Sequence, residues 1–165
     1  MKETVYVAVG SNRGDRERII AQAVRLMGEV LTDLRVSTLY ETRPMYVLDQ
    51  PAFLNAAVEG KTSRQPEELL DRLQSAEAVL GRDRLSEIRM GPRTLDLDIL
   101  LFGDHVVQTT RLSIPHPRLL ERAFALVPLL ELAPGAVDPR TGHPLREALA
   151  LLGDQGVYSY APPVV

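Results

Sequence analysis

At 165 residues, with 45% hydrophobic and 25% charged side chains, the chain has enough apolar material for one cored domain, taken as residues 1–165. It has no cysteine, which excludes disulfides and thiolate metal sites and points to an intracellular, cytoplasmic protein. The net charge of −3 argues against nucleic-acid binding through bulk charge, and no run of about 18 apolar residues is present to cross a membrane.

Thr4 to Val9, rich in Val and Tyr, predicts a strand, and Gly10-Ser11-Asn12 predicts a turn after it. Ile19, Ile20, Ala23, Val24 and Met27 keep helical spacing, so a helix is expected over about 16–27, ending near Gly28. Leu34 to Tyr40 alternates as a second strand. Thr42 to Pro51, with two prolines, predicts an irregular loop, and Phe53 to Lys61 a third strand. Pro66-Glu67-Glu68 opens a second helix, whose buried stripe is Leu69, Leu70, Leu73, Ala76 and Leu80, with Gly81 at its end. Arg82 to Arg93 is polar and expected as a loop. Thr94 to Phe102 predicts a fourth strand, followed by a turn at Gly103-Asp104 and a short partner at Val106-Val107. A helical stretch is expected from Arg118. Pro128, Pro134 and Pro139 are expected to break up the remainder of the chain, before a last helix at Leu145 to Leu152 and a frayed tail, Ala161 to Val165. The order strand, helix, strand, strand, helix, strand predicts an α+β fold of ferredoxin-like βαββαβ type: an antiparallel sheet with helices packed on one face. No exposed apolar stripe stands out, so a monomer is expected.

The chemistry concentrates in Leu95-Asp96-Leu97-Asp98-Ile99-Leu100-Leu101. Alternation puts Leu95, Leu97, Ile99 and Leu101 on one face of the strand and Asp96 and Asp98 together on the other, with Cα atoms roughly 7 Å apart. Two such carboxylates repel unless a cation lies between them, and paired metal ions in phosphoryl-transfer sites stand about 3.5–4 Å apart. The alternative is a solvated sheet face that happens to carry two acids. The flanks favour the metal reading: Arg82, Arg84, Arg89 and Arg93 precede the pair, and Arg111, His116 and Arg122 come after it. Planar guanidinium forks beside a divalent cation suit a polyphosphate. Lysine occurs only at positions 2 and 61, so a general arginine bias would also yield these cations. Phe53 and Asn55 share one strand face, giving a ring platform beside an amide, and Phe124 is available for the opposite ring face. Core packing is the ordinary alternative for both phenylalanines. Gly10-Ser11-Asn12 is not a P-loop, since the Gly-Lys-Ser/Thr ending is missing.

In chain order, Ala8-Val9-Gly10-Ser11-Asn12, Asp49-Gln50-Pro51 through Leu54-Asn55-Ala56-Ala57-Val58, Gly91-Pro92-Arg93-Thr94-Leu95-Asp96-Leu97-Asp98-Ile99 with Phe102-Gly103, and Pro115-His116-Pro117-Arg118 with Arg122-Ala123-Phe124 resemble the 6-hydroxymethyl-7,8-dihydropterin pyrophosphokinase family. The likeness runs from about Tyr6 to Pro134. It implies a ferredoxin-like enzyme of folate biosynthesis that moves pyrophosphate from ATP to a dihydropterin, with two magnesium ions and ATP as co-substrate. By this resemblance Asp96 and Asp98 are the metal ligands. Gly10, Thr42, Pro44, Met45, Phe53, Asn55 and Phe124 contact the pterin. Gln74, Glu77, Arg84, Arg93, Arg111, His116 and Arg122 bind ATP, with Arg82, Arg93 and His116 acting in catalysis. Met90 stands where the family often has tryptophan. Two rivals share the fold expectation: another metal-dependent phospho- or nucleotidyltransferase, with the aspartate pair but no pterin preference, and a module that binds a nucleotide without turnover.

Overall fold

The computed structural model describes residues 1–42, 51–80 and 95–164. The expected loops over 42–51 and 82–93, the Gly81 helix end and the start of the fourth strand lie wholly or mostly outside them. Strand β1 (Glu3–Ser11) leads into helix α1 (Arg16–Met27), then β2 (Thr32–Val36), β3 (Leu39–Thr42), β4 (Phe53–Thr62), α2 (Pro66–Val79) and β5 (Asp96–Phe102). The two short strands β6 (Val107–Gln108) and β7 (Ser113–Ile114) come next. After them come a 3-10 turn at Leu119–Glu121, α3 (Ala123–Leu132), α4 (Leu145–Leu151) and β8 (Val157–Ala161).

All pairings among the described strands are antiparallel, in the order β5-β1-β4-β3-β8, with β2 also on β4. The expected βαββαβ order is realised as a ferredoxin-like α+β fold, with the second expected strand divided into β2 and β3. Helix α1 starts where the Asp15 carboxylate accepts from the Arg18 N–H, and α2 starts at a Gln65–Glu68 capping box with Pro66 in the first turn. Their apolar stripes pack on Val5, Val7, Val9, Ala56, Val58, Leu97 and Ile99.

Several expectations need correction. Helices cover both faces of the sheet: α3 and α4 pack on the opposite side, where Tyr6, Ala8, Leu100 and Leu101 meet Ala125, Leu126, Leu129 and Leu145. Leu101 is on that side because the register against β1 shifts between Tyr6 and Val7. Leu100 is the extra residue, so Leu101 opposes Tyr6 and Phe102 opposes Val5. Gly10 and Ser11 are not a turn. They are the last residues of β1, paired with Asn55 and Leu54 of β4. The single strand expected at Leu34 to Tyr40 is two, because at Ser37 the backbone N–H still donates to the Ala57 carbonyl at 3.0 Å but the hydroxyl, in place of the backbone carbonyl, accepts the Ala57 N–H at 2.9 Å. Val107 pairs with Ile114 and not with β5. Pro128 lies inside α3, held by the buried residues on either side of it, so packing overrides its helix-breaking tendency. The tail is not frayed through Ala161: β8 pairs with β3, and Ala161 and Val164 pack against the core.

Candidate functional site

The register of the central strands brings side chains from distant parts of the chain into rows on one sheet face. Gly10 opposes Asn55 on one side and Asp96 on the other, Tyr40 lies beyond Asn55, and Thr42 opposes Phe53 one step further along. Ala8 and Asp98 form the next row. The ring platform, the amide and both carboxylates therefore share the face that α3 covers only in part. Asp96 and Asp98 are half-buried.

Asn55 is 6% exposed, and its Nδ2 donates to Thr42 Oγ1 at 2.8 Å. This bond fixes the amide plane. A Cβ on Gly10 would stand 3.0 Å from Asn55 Oδ1 and 3.8 Å from the Phe53 ring. Glycine here leaves the sheet floor bare beside both groups, which is where a flat ring could lie.

Asp96 and Asp98 are aimed by α2 as well as by β1. The Leu97 N–H between them donates to Glu77 Oε2 of α2 at 2.9 Å. Glu77 is 2% exposed. Its position four residues after Leu73 on the buried stripe is the sequence signal for this contact. Among the described residues no group of three or more His, Asp or Glu side chains gathers as a metal cage. A pair of carboxylates nevertheless fits magnesium, which binds through one or two carboxylates and fills its remaining positions with water and phosphate oxygens.

His116 faces Asp96 and two arginines, Arg122 and Arg118. Burial, and then the positive charge of Arg122, outweigh the opposing pull of Asp96 and, with a lesser contribution from Arg118, lower its pKa from 6.5 to about 4. The ring is neutral at pH 7. Its Nδ1 accepts from the Arg118 N–H at 3.2 Å, so the proton sits on Nε2, which is a donor. Arg122 caps the start of α3, and its guanidinium stands 5.4 Å from the centre of the Phe124 ring. Arg122 Nε is buried with no hydrogen-bond partner among the described residues. An unpaired buried cationic donor is costly unless an anion joins it.

The structure thus gathers Gly10, Thr42, Phe53, Asn55, Asp96 and Asp98 on one sheet face, and it sets His116, Arg122 and Phe124 beside Asp96 and the start of α3. Arg111 is engaged elsewhere. Its guanidinium pairs with Asp71 of α2, and its hairpin is tied to the same helix by Thr109 Oγ1 donating to Glu67 at 2.8 Å. Gln74 is exposed one turn beyond Asp71. Pro44, Met45, Arg82, Arg84 and Arg93 lie outside the described residues. Sequence reasoning missed Asn12, which is buried and whose Nδ2 donates to the Pro51 carbonyl at 3.2 Å, tying the end of β1 to the chain entering β4. Its place in Gly10-Ser11-Asn12 marks it only as a turn former.

A family model described as 7,8-dihydro-6-hydroxymethylpterin-pyrophosphokinase matches residues 6–134. A Bacillus subtilis protein named 2-amino-4-hydroxy-6-hydroxymethyldihydropteridine pyrophosphokinase is 51% identical over 134 residues, which are 80% of this chain and 79% of that one. The folic acid synthesis protein fol1 of Pneumocystis carinii is 46% identical over 141 residues; 85% of this chain is covered but only 19% of that longer protein. Among solved structures, wild-type HPPK-DHPS of Plasmodium falciparum superposes with a TM-score of 0.72 over 91% of this chain and 44% of its own, at 16% identity, a likeness of fold. No helix among the described residues is long and apolar enough to cross a membrane.

Proposed function

Since the chain belongs to the 7,8-dihydro-6-hydroxymethylpterin-pyrophosphokinase family, an enzyme family, we propose that it transfers the pyrophosphate of ATP to the hydroxymethyl group of 6-hydroxymethyl-7,8-dihydropterin, releasing AMP, as a step in folate synthesis. The observation that carries this reading is the shared sheet face, on which the ring-reading groups Phe53, Asn55 and Gly10 abut the carboxylates Asp96 and Asp98. Neither rival reading requires both halves.

On this reading Phe53 and Phe124 stack on the pterin, while Asn55 and Thr42 meet its polar edge over the bare floor at Gly10, and Pro44 and Met45 add contacts. Asp96 and Asp98 would hold two magnesium ions that arrive with ATP, and these supply neutralisation of the phosphate oxygens. Arg122, whose buried Nε has no partner among the described residues, receives a phosphate oxygen, and His116 donates to another through Nε2–H. Both groups are held before substrate arrives, so little reorganisation is needed at the moment of reaction. Arg82, Arg84, Arg93, Arg111 and Gln74 complete the nucleotide side, Glu77, which is buried, serves it indirectly by holding the Leu97 N–H, and Arg82 and Arg93 close over the substrates and exclude water. Arg111 must leave Asp71 to take part. The hydroxymethyl oxygen forms a bond to the β-phosphorus and gives up its proton. The bond from that phosphorus to the oxygen bridging the α-phosphate breaks, and AMP departs.

The test is to incubate the protein with ATP, magnesium and the dihydropterin and to resolve the nucleotides. Pterin-dependent AMP supports the reading. ADP in its place, or no nucleotide product from folded protein, contradicts it.

A further inference from the structure

Arg16 is the first residue of α1, where the positive end of the helix dipole disfavours a cation. Its contacts explain its presence there. Nη1 donates to the Ala52 carbonyl at 2.9 Å and pairs with the Glu41 carboxylate at 2.9 Å, and the guanidinium stands 5.4 Å from the centre of the Tyr160 ring on β8. The side chain is 22% exposed, sheltered by these partners. Glu41 and Ala52 immediately precede Thr42 and Phe53, which oppose each other as the last pair between β3 and β4. One guanidinium therefore clamps both strands at the end of their ladder, from the sheet face opposite the site.

We infer that Arg16 is a positioning residue for pterin recognition: by holding Glu41 and Ala52 it fixes the spacing of Thr42 and Phe53, and through the Asn55–Thr42 hydrogen bond the plane of the Asn55 amide. Tyr160 gives the C-terminal strand a part in the same clamp, through its ring against the guanidinium. Arginine suits the position because its flat guanidinium can lie over the Tyr160 ring while Nη1 serves both the carbonyl and the carboxylate. The inference rests on the pterin reading of Thr42, Phe53 and Asn55.

The experiment is calorimetric titration of wild type, Arg16→Ala, Arg16→Lys and Arg35→Ala with the dihydropterin and, separately, with magnesium–ATP, alongside steady-state rates. Arg35→Ala is the control: it removes another ion pair across the sheet, 3.1 Å to Glu59, away from the site. The loss of a charge-assisted contact predicts pterin affinity about tenfold weaker in Arg16→Ala. Magnesium–ATP affinity and kcat at saturating pterin should stay within about twofold, because those groups share no partner with Arg16. Arg16→Lys should recover part of the loss, and Arg35→Ala should show none. Wild-type pterin affinity in Arg16→Ala, or an equal loss in Arg35→Ala, would overturn the inference while leaving the enzymatic reading intact. Wild-type protein that binds no dihydropterin would remove both. Should Arg16→Ala not fold, Tyr160→Leu decides in its place, with a smaller loss of pterin affinity expected and no change overturning the inference.

Discussion

Acidifying the ligand-free protein should destabilise it through His116. The ring is held neutral by burial and by Arg122, so its pKa falls from 6.5 to about 4 in the folded chain. In the unfolded chain it takes up its proton near 6.5. Between those two values the unfolded state binds more protons, so stability is complete above about pH 6.5 and is lost as pH falls towards 4. A displacement of that size corresponds to about 3 kcal/mol, which in a domain of this length lowers Tm by roughly 10 °C. The comparison is with His116→Gln, which isolates the contribution of this ring. Urea unfolding of both proteins at pH 7 and pH 4, without nucleotide or magnesium, should show wild type losing about 3 kcal/mol more than the variant. The ring resonances of His116, followed by NMR, should titrate near pH 4, and Arg122→Gln should move that midpoint upward. A midpoint near 6.5, or parallel loss of stability in wild type and variant, would refute the burial argument.

Asp96→Asn or Asp98→Asn should lower kcat on the order of a hundredfold or more with the fold retained, as circular dichroism would show, and near-normal rates in either would remove the metal assignment. Gly10→Ala places a Cβ 3.0 Å from Asn55 Oδ1, so it should weaken dihydropterin binding by about tenfold in a calorimetric titration while leaving magnesium–ATP affinity unchanged. Glu77→Ala strips the Leu97 N–H of its acceptor and should cost about 1–3 kcal/mol in urea unfolding, with kcat falling as the flanking aspartates lose their support.

The core strands and the first two helices were legible because each carries an unambiguous period and a local boundary signal, such as Gly28 closing α1 or Pro66 opening α2. The two aspartates and the Phe53–Asn55 pair were legible for the same reason, since alternation fixes which side chains share a face. What alternation cannot reveal is a register shift. The extra residue Leu100 sends Leu101 to the α3 side, and nothing in the run Ile99-Leu100-Leu101-Phe102 marks where the ladder slips. Strand β8 was missed because its sequence, Val157 to Ala161, is half-exposed and next to prolines, and only the free edge of β3 gives it a partner. Pro128 misled because local propensity was weighed without the packing on both sides of α3. The pairing of Arg111 with Asp71 joins residues 40 positions apart through a surface ion pair that no periodicity encodes.

The most direct test of the proposed chemistry is to track label from ATP carrying radioactive phosphorus at the β position in the presence of magnesium and dihydropterin. Attack at the β-phosphorus predicts that the label moves wholly to the pterin product and that the AMP is unlabelled. Label remaining in ADP would contradict pyrophosphoryl transfer, and with it the arrangement of a pterin and a metal-held triphosphate on the face shared by Asn55, Asp96 and Asp98.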